Sequence, residues 1–239
     1  MNVFQHIEQK KKSTSRQLAV LIDPDKTEHL PEIIEKSVVS KIDYFFVGGS
    51  LITHGDIAKT IDFIKSNCTI PVVIFPGDSA QIYSGADAIL LLSLISGRNP
   101  EFLIGQHIHS AFRLKSSGLE LIPTGYIIVD NGITTTAAYV SGTNPIPSSK
   151  PEIAAITALA GEQLGLKQIY IDGGSGAGNP LSEDLIKKVR SLISVPLIVG
   201  GGIRTKTDAE KAWNAGADLV VIGTAIEKDP EFILQFKER

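Results

Sequence analysis

A single cysteine, Cys68, occurs in 239 residues, which excludes an intrachain disulfide and a thiolate metal cluster. Long apolar runs are missing too. The longest, "AILLLSLI" at 88–95, falls far short of the roughly 20 residues that a membrane-spanning helix needs. The opening segment "MNVFQHIEQKKKSTSRQ" has no apolar core of signal-peptide length, and residues 1–16 read as a polar N-terminal extension. Its basic run, Lys10 to Lys12 with Arg16, reads either as a solvated tail or as a transient contact for an anionic membrane surface. Charge of one sign is not in excess. With 23 basic against 26 acidic side chains the formal charge is −3, which leaves no electrostatic case for nucleic acid. Histidine is scarce and unpatterned: His6, His29 and His54 stand alone, and His107 and His109 lie two apart on a predicted helix, facing different ways. A soluble protein of a reducing cytoplasm is the expected setting.

The composition that remains, 43% hydrophobic and 21% charged, is enough for a sizeable core, and the length suits one α/β barrel domain over 1–239. Short apolar runs recur: "LAVLI" 18–22, "YFFVG" 44–48, "PVVIF" 71–75, "AILLL" 88–92, "YIIV" 126–129, "QIYI" 168–171, "PLIVG" 196–200 and "DLVVIG" 218–223. They are continuous rather than alternating, as parallel strands covered on both faces are. Segments of helical period follow most of them, at 30–40, 56–66, 151–165, 181–193 and 206–216. Eight strands alternating with helices predict a (β/α)8 TIM-type barrel. Between the third and fourth strands only "PGDSAQIYSGAD" is available, too short and too rich in Gly and Pro for a full helix, so the outer ring is expected to have a gap there. Residues 131–150 read as a long polar connection, a length usually tied to function or mobility.

Active sites of such barrels lie at the carboxyl ends of the strands. Three of these ends are glycine-rich: "IDGGSGAG", "VGGGIR" and "IGTAI". Glycine lets backbone N–H groups approach an oxyanion, and helix N-termini add partial positive charge, so a phosphate is expected there. Asp172 ends the sixth strand, either as a turn former or as a group that accepts hydrogen bonds from substrate hydroxyls or takes a proton. Tyr170 lies two positions earlier on the same strand face. The first strand ends in "LIDPDK", which reads as an Asp-Pro turn or as a Mg²⁺ site at Asp23, with Ser50 of "VGGSLIT" able to supply a second oxygen. Mg²⁺ needs only one or two protein carboxylates when substrate phosphates complete its shell, so a diphosphate would suit.

The segments "LIDPDK", "FVGGSLIT", "SGRNPEFLIGQHI", "YIDGGSGAGNP", "VGGGIRT" and "VVIGTAIEKDP" resemble the geranylgeranylglyceryl phosphate synthase family, which includes the bacterial heptaprenylglyceryl phosphate synthases. The resemblance runs from about residue 18 to 230, and "TTTAAYVSGTNPIPSSKPEIAA" is similar to the family's second subgroup. It implies a modified barrel with one outer helix missing. It also implies Mg²⁺-dependent transfer of a prenyl group, geranylgeranyl in the first instance, from its diphosphate to the 3-hydroxyl of sn-glycerol 1-phosphate. Carried over by position, the metal ligands fall on Asp23 and Ser50. The glycerol phosphate site falls on Tyr170, Ile171, Asp172, Gly173, Gly174, Ser175 and Gly176, on Gly201 and Gly202, and on Gly223 and Thr224. Asp172 stands where many relatives have Glu, a side chain one methylene longer. Homo-oligomers are implied, and Phe102 and Phe112 are possible limits to the prenyl tail. Two other readings stay open: a different phosphate-handling barrel enzyme, such as an isomerase or cyclase, and a non-catalytic barrel that binds a phosphorylated ligand.

Overall fold

The structure is a computed structural model, and it describes residues 2–237. Its eight strands are β1 (Gln17–Ile22), β2 (Tyr44–Val47), β3 (Val72–Ile74), β4 (Ala88–Leu94), β5 (Glu120–Ile128), β6 (Gln168–Asp172), β7 (Leu197–Gly200) and β8 (Leu219–Ile222). All neighbours pair in parallel, and β8 returns to β1 to close the barrel. Strand β5 is longer than its apolar run because it begins with "ELIPTG", where Pro123 and Gly125 disguise an extended segment.

The strands bury both faces. Ala19, Tyr44, Phe46, Val73, Leu90, Tyr126, Tyr170, Ile198 and Val221 fill the interior. Their sequence neighbours, among them Val20, Phe45, Val72, Ile127, Ile171, Val199 and Val220, pack outward against the helices. That parity follows from the two-residue period of a strand. The outer layer comprises α2 (Leu30–Val39), α3 (Ile57–Asn67), α4 (Gln106–Ser117), α5 (Thr136–Ser141), α6 (Pro151–Gln163), α7 (Glu183–Leu192), α8 (Lys206–Asn214) and α9 (Thr224–Lys228). No helix separates β3 from β4, as the composition of that segment predicts. A π-helical turn, Glu101–Gly105, leads into α4. The 131–150 connection is partly ordered by α5, whose start is capped by the Thr135 side chain, and by a bridge between Val129 and Ile146. No helix among the described residues is long and apolar enough to cross a membrane.

The amino-terminal segment departs from the reading as a polar extension. Residues Val3–Lys12 form a helix, α1, whose Val3 and Ile7 are buried in the same interior cluster as Ala19, Tyr44 and Phe46. The Glu120 carboxylate accepts the Val3 and Phe4 N–H groups at 2.5 and 3.0 Å, satisfying free donors at the helix start. Lys10 pairs with Asp43, and the Arg16 guanidinium lies 5.7 Å from the Trp213 ring while donating to Asn214. Half of the basic run is therefore engaged internally, at the barrel end opposite the strand carboxyl termini. A run with only three apolar positions, Val3, Phe4 and Ile7, before a polar stretch gives no clear helical signal. Its burial is decided by the open barrel bottom that it plugs. Ile7→Ala should therefore cost about 2–5 kcal/mol of stability, the range for emptying a buried isoleucine site. A urea midpoint unchanged from the parent protein would show that α1 does not close the barrel.

Candidate active site

At the carboxyl ends of the strands a polar mouth is lined by residues that include Asp23, Ser50, Tyr170, Asp172, Gly174, Ser175, Gly176, Gly201, Gly202, Gly223 and Thr224. Eleven of the thirteen positions expected from the sequence are thus brought together. Ile171 is not among them. As the strand residue between Tyr170 and Asp172 it points outward, fully buried under the helices, so its side chain cannot touch a ligand in the mouth. Gly173 does not line the mouth either; its N–H donates to the Gly200 carbonyl at 3.0 Å, continuing the contact with β7.

Asp172 is the most deeply buried carboxylate that lines the mouth. The residue is 7% exposed, and each carboxylate oxygen has one neutral donor: the Gly174 N–H on Oδ1 at 2.7 Å and the Tyr126 hydroxyl on Oδ2 at 2.6 Å. Burial pushes the carboxyl above the ordinary aspartate range, and these two hydrogen bonds pull against it without cancelling it. Both Tyr126 and Tyr170 have hydroxyls raised well above the usual phenol value, first by burial and then by the Asp172 charge. They stay neutral donors. The Tyr170 ring packs tightly on β7, where a Cβ on Gly200 would come within 2.4 Å of its hydroxyl.

The glycine loops have distinct duties. Gly201 and Gly202 take φ of +84° and +72°, and a Cβ on Gly202 would stand 2.1 Å from the Asn179 carbonyl oxygen. A side chain at Gly202 would collide with backbone before it reached the mouth, so this glycine shapes the loop rather than merely leaving room for phosphate. Among the described residues, no protein acceptor faces the N–H groups of Gly202, Ile203, Gly223 or Thr224. Four free donors around one rim are a set that suits an anion. Arg204, Lys26 and Lys228 supply cations to the same rim, and the Arg204 guanidinium also holds the β6 loop through the Ala177 carbonyl at 2.8 Å.

Across the mouth, Asp23 and Asp25 separate into two roles. Asp25 accepts hydrogen bonds from Thr53 N and Oγ1, His54 N and Gly55 N, which holds its carboxyl far below the usual range and clamps the β1 loop to the β2 loop. Asp23 keeps capacity for a ligand: Oδ1 accepts only the Asp25 N–H at 3.0 Å, and Oδ2 lies 3.3 Å from the Lys26 ammonium. It faces the end of β2, since a Cβ on Gly49 would be 3.5 Å from Asp23 Oδ1, beside Ser50. Lys26 also pairs with Glu227 at 3.2 Å. Burial pushes the Glu227 acid up, and Lys26 opposes that. No group of three or more His, Cys, Asp or Glu side chains fit to hold a metal occurs among the described residues. One carboxylate beside a hydroxyl is what remains, a donor set that suits Mg²⁺ when a substrate supplies the other oxygens.

A second, apolar cavity opens where the outer ring lacks its helix. It is lined by Phe75, Ile82, Ile89, Leu92, Phe102, Leu114 and others, running between β4 and the inner face of α4. Phe102 belongs to it; Phe112 does not, being 88% exposed on the opposite side of α4. Five residues line both cavities: Gly49, Ser50, Phe75, Tyr126 and Ala137. Phe75, Tyr126, Lys26, Glu227 and Arg204 are the site residues that sequence reasoning passed over. For Tyr126 a signal was present: it shares strand parity with Ile128, and both face inward.

The raised carboxyl of Asp172 has a consequence for stability. A folded-state pKa above the unfolded value means that this group's favourable contribution is complete below the unfolded value, about 3.9, and is lost as pH rises through the folded value. Asp172→Asn removes that loss. The variant's urea midpoint, relative to the parent, should therefore rise between pH 4 and 8, and a constant difference over that range would show that the carboxyl is not perturbed.

The comparisons with known proteins agree with this geometry. A protein 50% identical over 94% of this chain and 91% of its own, from Spirosoma linguale, is named geranylgeranylglyceryl phosphate synthase. A protein of the same name from Pyrococcus furiosus is 46% identical over 87% of this chain and 83% of its own. The crystal structure of (S)-3-O-geranylgeranylglyceryl phosphate synthase from Thermoplasma acidophilum, in complex with its substrate sn-glycerol-1-phosphate, superposes with a TM-score of 0.92 at 31% identity, covering 99% of this chain and 97% of that one. An N-acetylmannosamine-6-phosphate 2-epimerase from Clostridium perfringens, at 12% identity and a TM-score of 0.58, shares the fold alone. The model of the PcrB family matches residues 10–238, and the chain belongs to that family.

Proposed function

We propose that the protein is a prenyltransferase that joins a prenyl group from a prenyl diphosphate to the 3-hydroxyl of sn-glycerol 1-phosphate, giving an ether lipid precursor. The observation that carries this reading is the meeting of the two cavities. A glycine-lined anion site with a buried carboxylate opens directly into an apolar groove, and the five shared residues mark where a polar and an apolar substrate come into contact. The isomerase and cyclase readings leave that groove without an occupant. A purely binding barrel has no use for a buried, proton-seeking carboxylate in a mouth that meets such a groove.

In this reading the free N–H groups of Gly202, Ile203, Gly223 and Thr224 hold the phosphate, with Arg204 and Lys228 nearby. Asp172, with its carboxylate fixed by Tyr126 and Gly174, retains lone pairs for the glycerol hydroxyl and accepts its proton. The prenyl tail lies in the groove along α4, where each buried CH₂ stabilises binding by about 0.8 kcal/mol before the cost of ordering the chain. Asp23 and Ser50 would hold Mg²⁺, which when bound supplies a Lewis acid that neutralises the departing diphosphate. The glycerol oxygen forms its bond to the allylic carbon, the carbon–diphosphate bond breaks with its electron pair on the leaving group, and the proton goes to Asp172. Ser50 lies at the junction, so the leaving group departs toward the Asp23 side while the hydroxyl approaches from the Asp172 side. The tail length is set inside the groove, and geranylgeranyl is the chain we assign. The assembly we assign is a homo-oligomer.

Labelled sn-glycerol 1-phosphate incubated with Mg²⁺ and a ladder of prenyl diphosphates should yield an organic-extractable product, with geranylgeranyl diphosphate the best donor. No labelled product with any chain length would overturn the reading. Asp23→Asn should abolish turnover and lose Mg²⁺ binding by calorimetry while its far-ultraviolet circular dichroism stays unchanged; retained Mg²⁺ affinity would place the metal elsewhere. Asp172→Asn should lower kcat by about 10²-fold or more, in the range for loss of a general base. A rise in KM for glycerol phosphate with kcat nearly intact would instead make Asp172 only an anchor for the hydroxyls.

A further inference from the structure

We propose that Phe75 is a catalytic residue of this transfer: its ring stabilises the positive charge that develops on the allylic carbon as the diphosphate leaves. The inference rests on the prenyl-transfer reading and adds to it the group that meets the cation. The reacting carbon has to sit where the two cavities join, because its diphosphate belongs to the polar mouth and its tail to the apolar groove. Of the five residues lining both, Gly49, Ser50 and Ala137 carry no charge and no π-system, which leaves the rings of Phe75 and Tyr126, and of these Phe75 has no polar group tied to the glycerol side as the Tyr126 hydroxyl is through Asp172. No carboxylate lines both cavities. An allylic cation there finds aromatic rings, and a cation over an aromatic face is attracted by the ring quadrupole.

The ring is held in place before any substrate arrives. The Phe75 N–H donates to the Val47 carbonyl at 2.9 Å, and Gly48 packs so close that a Cβ there would stand 2.0 Å from the Phe75 oxygen. Tyr170 stacks on the ring at 5.2 Å between centroids and 21° between planes, and Tyr126 meets it edge-on at 5.7 Å and 80°. With one face covered by Tyr170, the ring has few alternative positions. Stabilisation by a group already in position costs no reorganisation in the transition state.

A graded series tests the idea without changing ring shape. Mono-, di- and trifluorinated phenylalanine at position 75 should lower the single-turnover rate of product formation stepwise, to a total loss of about 10-fold, within the range expected of a desolvated cation–π contact. Phe75→Leu, which keeps apolar volume against Tyr170, should lose a similar factor while KM for glycerol phosphate changes by less than about twofold. A single-turnover rate that is flat across the fluorinated series, in a parent protein that turns over normally, overturns the role of Phe75 and leaves the prenyl-transfer reading standing. A parent protein without transfer activity overturns both.

Discussion

Holding a carboxylate inside the barrel with two neutral hydrogen bonds is the constraint around which the mouth is organised. Asp172 ends β6 facing inward, and burial costs its charged form dearly unless something compensates. The Gly174 N–H and the Tyr126 hydroxyl provide that compensation only in part. Each then imposes its own requirement. Gly174 takes φ of +86°, which bends the β6 loop back over the strand end and turns the glycine-rich segment toward the mouth. Tyr126 has to stand inward on the neighbouring strand, which brings its ring against Phe75 and Tyr170 where the polar and apolar cavities meet.

The gap between β3 and β4 is the second organising feature. A complete outer ring would cover the outward face of β4 and close the groove that the tail reading needs. Instead, residues 75–87 cross as a loop held by side-chain bonds: Gln81 donates to the Gly49 carbonyl at 3.0 Å, Gln106 accepts the Ser79 N–H at 2.7 Å, and the Tyr83 hydroxyl donates to Asp62. These contacts replace the packing of a helix with polar ties at the rim and leave apolar surface uncovered between them. At the other end of the barrel, α1 plugs the interior with Val3 and Ile7.

Much of this was legible from residue order alone. The continuous apolar runs required strands buried on both sides, their alternation with helical segments required a parallel barrel, and the Gly- and Pro-rich stretch before β4 could not form a helix. The three glycine-rich strand ends and the aspartates at positions 23 and 172 marked the face on which the polar mouth lies, because topology places strand carboxyl ends together whatever the loops do. The short run "VFQHIEQKKK" could not declare itself, since its helix is stabilised by the open bottom of a barrel that forms from residues far along the chain. The outward side chain of Ile171 was hidden for a related reason. A motif names consecutive residues, but only strand parity, set by the register of β6 between β5 and β7, sends Tyr170 and Asp172 inward and Ile171 out. The distinct roles of Asp23 and Asp25, the contact of Tyr126 with Asp172 across 46 positions, and the junction at Phe75 were decided only in three dimensions. Those relations depend on which side chains meet across neighbouring strands and loops, and spacing along one chain carries no record of that.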